Sequence, residues 1–147
     1  MPVSHKTLCV VYASIAISAL VGTWGNNIAY MNLGFAGANL AFWQDTLANP
    51  ASRSITVDCF LLGLAVFVWM VLEARRLGLR FVWLYLILGM LVAISVTVPI
   101  FLINRQRALA ERNRSLDAGT LSRGDVAGLV AVGAAIVAYT AATLMRT

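Results

Sequence analysis

Asp58 stands inside residues 55–72, a run otherwise apolar enough to cross a membrane. An aspartate at the centre of a membrane helix costs roughly 2.5–3.5 kcal/mol, and less toward the interface, so such a side chain is paired, hydrated, protonated or functional. Two roles are open to it. With other polar groups converging on an apolar slot, it marks a ligand site and a candidate catalytic acid. Neutralised by an arginine, it only locks neighbouring helices together.

The residues placed to converge on it are Trp24, Asn26, Asn27, Tyr30, Asp45, Asn49, Arg53, Ser54, Ser95, Asn104 and Arg105. If successive helices alternate in direction, these gather toward one membrane face, at the end of helix one, the start of helix two and the end of helix three. Ser54 precedes Asp58 by four residues and so shares its helical face. Pro99 has no N–H to donate and leaves the Ser95 carbonyl free, a kink or a lone acceptor within the membrane. Arg53, Arg105, Asn26 and Asn27 are the expected neighbours of Asp58. Asp45 and Glu73 read as solvated interfacial groups, Glu73 forming an ordinary helix-end pair with Arg76.

Other chemistries lack the residues they need. His5 is the one histidine and lies in the N-terminal tail, so histidine-ligated haem or metal and Ser-His or Cys-His pairs have no imidazole within the bundle. Cys9 and Cys59 open consecutive antiparallel helices. They are therefore expected near opposite faces, beyond the Cα approach of about 4.4–6.8 Å that a disulfide needs. No glycine-rich loop suggests a nucleotide, and neither metal nor cofactor is expected.

The elements that must position these residues follow from composition. The chain has 147 residues, is 61% hydrophobic and 12% charged, and its mean hydropathy is +0.84. Four runs, residues 7–24, 50–72, 81–103 and 126–145, are long enough to cross or nearly cross about 30 Å of hydrocarbon at about 1.5 Å per residue. The expected fold is all-α: one integral domain over residues 1–147, a four-transmembrane-helix bundle of the cell membrane. A short interfacial segment, residues 40–48, joins helices one and two, with Phe42 and Trp43 in the headgroup zone. Asn49 and Pro50 read as an N-cap and first helical residue, Gly78 as a helix stop, and residues 117–119 as the end of an extension of helix three.

The formal charge of +5 belongs to arginines flanking apolar helices, which points to anionic headgroups as partners and away from nucleic acid. A four-span arrangement puts Lys6, Arg75, Arg76, Arg80 and Arg146 on one side and Arg53, Arg105, Arg107, Arg112, Arg114 and Arg123 on the other. That division does not orient the chain. Helix four differs in texture, with Ala127, Ala131 and Ala135 in one row and Ala134, Ala138 and Ala142 in another. Such rows allow close helix approach, either to the chain's own helices or to a second copy or membrane partner.

The segments Trp24-Gly-Asn-Asn-Ile-Ala-Tyr30, Asn49-Pro-Ala-Ser-Arg-Ser-Ile-Thr-Val-Asp58, Glu73-Ala-Arg-Arg-Leu-Gly78 and Pro99-Ile-Phe-Leu102 resemble the domain-of-unknown-function 2834 family of small bacterial membrane proteins, over about residues 6–108. The resemblance brings no activity with it and leaves helix four outside. In architecture the chain is also similar to small integral-membrane terpene cyclases. That likeness implies Asp58 as a protonated acid acting on a prenyl chain, with Trp24, Tyr30, Phe42 and Trp43 facing a carbocation. The expectation is a polar intramembrane pocket around Asp58 for an amphipathic or isoprenoid-like lipid, with acid-catalysed cyclisation as its enzymatic form. The alternative is a non-catalytic accessory or assembly subunit docking through helix four.

Overall fold

The computed structural model describes residues 2–112 and 119–145. In chain order it has a two-residue strand β1 (Pro2–Val3), α1 (His5–Asn27), a 3-10 turn (Ile28–Leu33), α2 (Gly34–Asp45), α3 (Pro50–Leu77), α4 (Val82–Leu91), α5 (Ile94–Arg112), strand β2 (Gly119–Thr120) and α6 (Arg123–Leu144). The fold is an all-α bundle, with three helical stretches, starting at His5, Pro50 and Arg123, long and apolar enough to cross a membrane. Local signals set their ends. The Asn49 side chain accepts from the Ser52 N–H at 2.9 Å, and Pro50 opens α3 as expected. Gly78 closes it in the left-handed conformation, which costs a residue without Cβ nothing. Ser122 and Asp125 cap α6 reciprocally. The stop expected at residues 117–119 lies, apart from Gly119, outside the described residues.

The expected third span, residues 81–103, is divided. Helix geometry lapses between Leu91 and Ile94, and α4, with 10 residues, reaches only about 15 Å, half of the hydrocarbon layer. The chain then turns back. Tyr85 and Phe101 pack edge to face at 5.7 Å, and a Cβ on Gly89 would sit 2.9 Å from Thr97 Oγ1 and 3.2 Å from Phe67 Cζ. These pairings make α4 and α5 antiparallel, and the bare backbone at Gly89 permits their close approach beside α3. Backbone groups at the break stay bonded, Val92 N–H to the Leu88 carbonyl at 2.8 Å and the N–H groups of Val96 and Thr97 to the Ala93 carbonyl at 3.2 Å. Irregular backbone at membrane depth is tolerated on that condition, inside protein.

The return sets the direction of everything after it. Ile94 packs beside Gly63, Trp69 beside Phe101 at 5.8 Å, and Arg105 reaches Glu73, so α5 runs parallel to α3. His5 meets Gln106 and Cys9 meets the Ile103 carbonyl, so α1 runs antiparallel to α5. Gly22 abuts Thr140 and Gly25 abuts Leu144, so α6 runs parallel to α1, and β1 pairs with β2 between their starts. One end of the bundle therefore holds the starts of α1 and α6, the ends of α3 and α5, and the α3–α4 link. The other holds the end of α1, α2 and the start of α3.

Charge follows this division. Among the described residues the first end carries Lys6, Arg75, Arg76, Arg80, Arg105, Arg107, Arg112 and Arg123, and the second carries Arg53; Arg114 and Arg146 lie outside the described residues. We call the two ends the basic and the aromatic face. The near-even division of a four-span arrangement disappears because the folded-back α4–α5 hairpin returns its arginines to the face they left. The core sits on the same side: Met70, Ala74, Val82, Leu86 and Phe101 are buried together. Between helices in lipid this gain is close packing, since hydrocarbon already solvates the side chains.

With Cys9 and Cys59 replaced by serine, single cysteines at Leu47 and Leu121 are expected to react with an impermeant maleimide from opposite sides of sealed vesicles. Labelling of both from one side would restore four complete spans and overturn the hairpin.

Candidate functional site

Two polar groupings form, one at each end. On the aromatic face, Gly34 turns the chain at φ 69° and α2 folds back, so the Tyr30 hydroxyl donates to Asp45 Oδ2 at 2.6 Å. Tyr30 and Phe42 pack edge to face at 6.0 Å, Phe42 and Trp43 at 5.1 Å, and Trp43 stacks on Phe60 of α3 at 5.7 Å. Between these aromatics and the start of α3 lies an open cleft of about 300 Å³, lined by Tyr30, Phe42, Asp45, Thr46, Ser52, Ile55 and Thr56. Its chemistry is amphipathic, a hydroxyl-carboxylate pair and small hydroxyls set against rings and an isoleucine.

The expected neighbours of Asp58 divide. Asn49 caps α3 and Arg53 Nη1 donates to the Leu47 carbonyl at 2.8 Å; both hold the α2–α3 turn. Asn26 Nδ2 donates to the Gly22 carbonyl at 2.7 Å, within its own helix, and Asn27 ends α1. Trp24 and Ser54 are exposed, as is Ser95 at the start of α5. Asn104 and Arg105 are not near Asp58. The break in the expected third span carries them to the basic face, where Asn104 donates to the Tyr85 hydroxyl and Arg105 binds Glu73.

Asp58 itself is exposed on α3. It lies three residues, about 60° around the helix, from the cleft-lining Ile55 and about 160° from Thr56, and does not itself line the cleft. Among the described residues it has neither a hydrogen bond nor an ion pair.

The second grouping, on the basic face, centres on Glu73, 7% exposed. Arg76 grips both carboxylate oxygens at 2.6 Å, Arg105 Nε donates to Oε1 at 2.6 Å, and the Arg105 guanidinium lies 5.8 Å from the Trp69 ring centre. Arg112 adds a bond to the Arg76 carbonyl at 3.2 Å. Glu73 is therefore no solvated helix-end group; the pair with Arg76 is present, and Arg105 is its second, part-buried partner. Residue spacing along α3 suggests the first contact. The second spans 32 positions and depends on the hairpin.

Asp58 and Glu73 occupy one helix, fifteen residues or about 22 Å apart. A hydrocarbon layer of about 30 Å cannot leave both outside it. With the arginine-bound Glu73 at one boundary, Asp58 falls about 8 Å inside the other, too deep for its short side chain to reach water along the helix.

The family model described as Protein of unknown function DUF2834 matches residues 11–107. No curated protein and no solved structure matches. The likeness to membrane terpene cyclases finds no support in these comparisons, and α6 lies outside the matched residues.

Removing Glu73 strands Arg105 in a part-buried position, so Glu73→Ala is expected to lower stability in detergent by on the order of 3 kcal/mol. Asp58→Asn, which breaks no hydrogen bond or ion pair among the described residues, should leave the melting temperature unchanged or raise it. The reverse ranking in thermal melts would show that Asp58 has a partner inside the chain.

Proposed function

The chain belongs to the family described as Protein of unknown function DUF2834, and from that premise we propose that it works as a non-catalytic assembly subunit of a larger membrane complex. The observation that carries this reading is Asp58, an exposed carboxylate inside an apolar membrane-length helix, with no hydrogen-bond or ion-pair partner among the described residues. Intramembrane acids are paired with one another, with a cation or with backbone groups, so the partner comes from outside. The texture of α6 gives further support. Ala127, Ala131, Ala135, Ala134, Ala138 and Ala142 are all exposed, while α6 touches α1 near its own end, through Thr140 and Leu144. Small-residue rows suit close helix approach and contribute little when they face lipid alone. The eight arginines and lysines of the basic face support its orientation toward the cytoplasm.

The cleft beside Tyr30 and Asp45 favours a second reading, the seat of an amphipathic or isoprenoid-like lipid, with its polar group on the hydroxyl-carboxylate pair and its chain along Phe42 and Ile55. Acid-initiated cyclisation forms no part of this reading, because Asp58 does not line that cleft.

Extracted in mild detergent from its native membrane, the 15.8 kDa chain is expected in a native-gel band of defined higher mass. Asp58→Asn and the double variant Ala131→Leu/Ala135→Leu should each weaken that band by about tenfold, the effect of losing about 1–2 kcal/mol of interhelical contact. Full retention of the band in both variants would sink the assembly reading. Loss of one co-purifying lipid in Tyr30→Phe, with the band intact, would favour the second.

A further inference from the structure

The basic face holds a second cleft, of about 280 Å³, between the start of α1 and the end of α5, lined by His5, Lys6, Cys9, Gln106, Arg107 and Ala110. From it we propose a specific binding site for the phosphate of an anionic phospholipid headgroup, a role independent of the assembly reading.

The floor is made by side chains of both helices. His5 Nδ1 lies 2.7 Å from Oε1 of Gln106, within hydrogen-bonding distance. Gln106 is 4% exposed, and Cys9 adds a long sulfur contact to the Ile103 carbonyl at 3.9 Å. These contacts cross from α1 to α5 and fix the width of the cleft. Its rim is cationic: Lys6 and Arg107 are both exposed, and neither joins an ion pair among the described residues.

Depth and charge together select the ligand. Arg107 lies two residues beyond Arg105, which meets Glu73 at the membrane end of α3, so the rim stands at headgroup level. On the hydrocarbon side Val10, one turn beyond Lys6 and 66% exposed, continues that face of α1, where an acyl chain can lie. Two unpaired cations around one cleft suit a phosphate. No carboxylate lines the cleft, so the ammonium of a zwitterionic headgroup would meet only like charge. A net-negative headgroup meets none.

The full chain, released from vesicles of mixed phosphatidylcholine and phosphatidylglycerol, is expected to keep one phosphatidylglycerol in preference to phosphatidylcholine when weighed by native mass spectrometry. Lys6→Gln and Arg107→Gln should each reduce the preference about fivefold, the worth of one cation near the headgroups. The exchange Lys6→Arg/Arg107→Lys should keep it. The pair Arg75→Gln/Arg80→Gln, exposed on the same face but outside the cleft, should leave it intact. An equal loss in that control pair would reduce the effect to the general charge of the face and overturn the site. Displacement of the lipid by millimolar inorganic phosphate would show that the cleft takes free phosphate and overturn the lipid assignment. A substitution that lowers the melting temperature along with the preference is replaced by Lys6→Met, which keeps the stem and removes the charge; an unchanged preference there would also overturn it.

Discussion

Glu73 and Arg105 meet at 2.6 Å, and the remaining architecture depends on that contact. A carboxylate 7% exposed near the edge of hydrocarbon requires compensation, since taking an ion out of water costs several kcal/mol that only close, hydrogen-bonded partners offset. Arg76, one turn on, supplies part of it from the same helix. The second guanidinium has to come from α5, and it reaches Glu73 only because α5 returns to the face from which α4 set out. Arginine suits the position, because its planar fork can bind the carboxylate and lie against the Trp69 ring together. The break at residues 92–93, the bare backbone at Gly89 and the packing of Tyr85 on Phe101 are the means of that return.

The contact also divides the molecule into unequal halves. Every buried residue of α3 lies at or beyond Gly63, and the core of Met70, Ala74, Val82, Leu86 and Phe101 occupies the half where the hairpin inserts. The hairpin stops near Gly63, so the first half of α3 receives no packing from it and meets α2 instead, where Trp43 stacks on Phe60. Thus the two carboxylates of one helix have opposite environments. Glu73 falls where a second helix brings cations, and Asp58 falls a few residues short of where that helix ends.

Much of this was legible in the sequence. Asn49, Pro50 and Gly78 marked the ends of α3 because capping is local chemistry, and the apolar runs gave an all-α bundle. Asp58 stood out from its surroundings, and the Tyr30–Asp45 neighbourhood was within the predicted polar end. The division of residues 81–103 was not legible. A run of that length and hydropathy reads as one span, and Pro99, which suggested a kink, lies inside α5 rather than at the break. Gly89 gave no signal by itself, since its importance arises from Phe67 and Thr97, one on another helix and one beyond the turn. Once the span is split, Asn104 and Arg105 change faces, and Asp58 loses the neighbours expected from helix three. An error in the direction of a single helix is enough to convert a candidate active-site cluster into two unrelated groupings.

Close packing and charge then act differently at the surfaces the fold leaves open. The alanine rows of α6 let another helix approach but discriminate weakly among partners, since any helix with a small-residue seam fits them. An acid at the depth of Asp58 discriminates strongly, because a helix that brings no donor to that level leaves the carboxylate as costly as lipid does. Among the described residues, in-register copies of this chain offer no cation there: Arg53 is the nearest along α3, five residues or about 7.5 Å toward the boundary, and is already engaged with the Leu47 carbonyl. On the assembly reading proposed above, the partner that offsets the cost of Asp58 is a different protein, one whose membrane helix carries a basic or hydrogen-bond-donating side chain about 8 Å beneath the aromatic face.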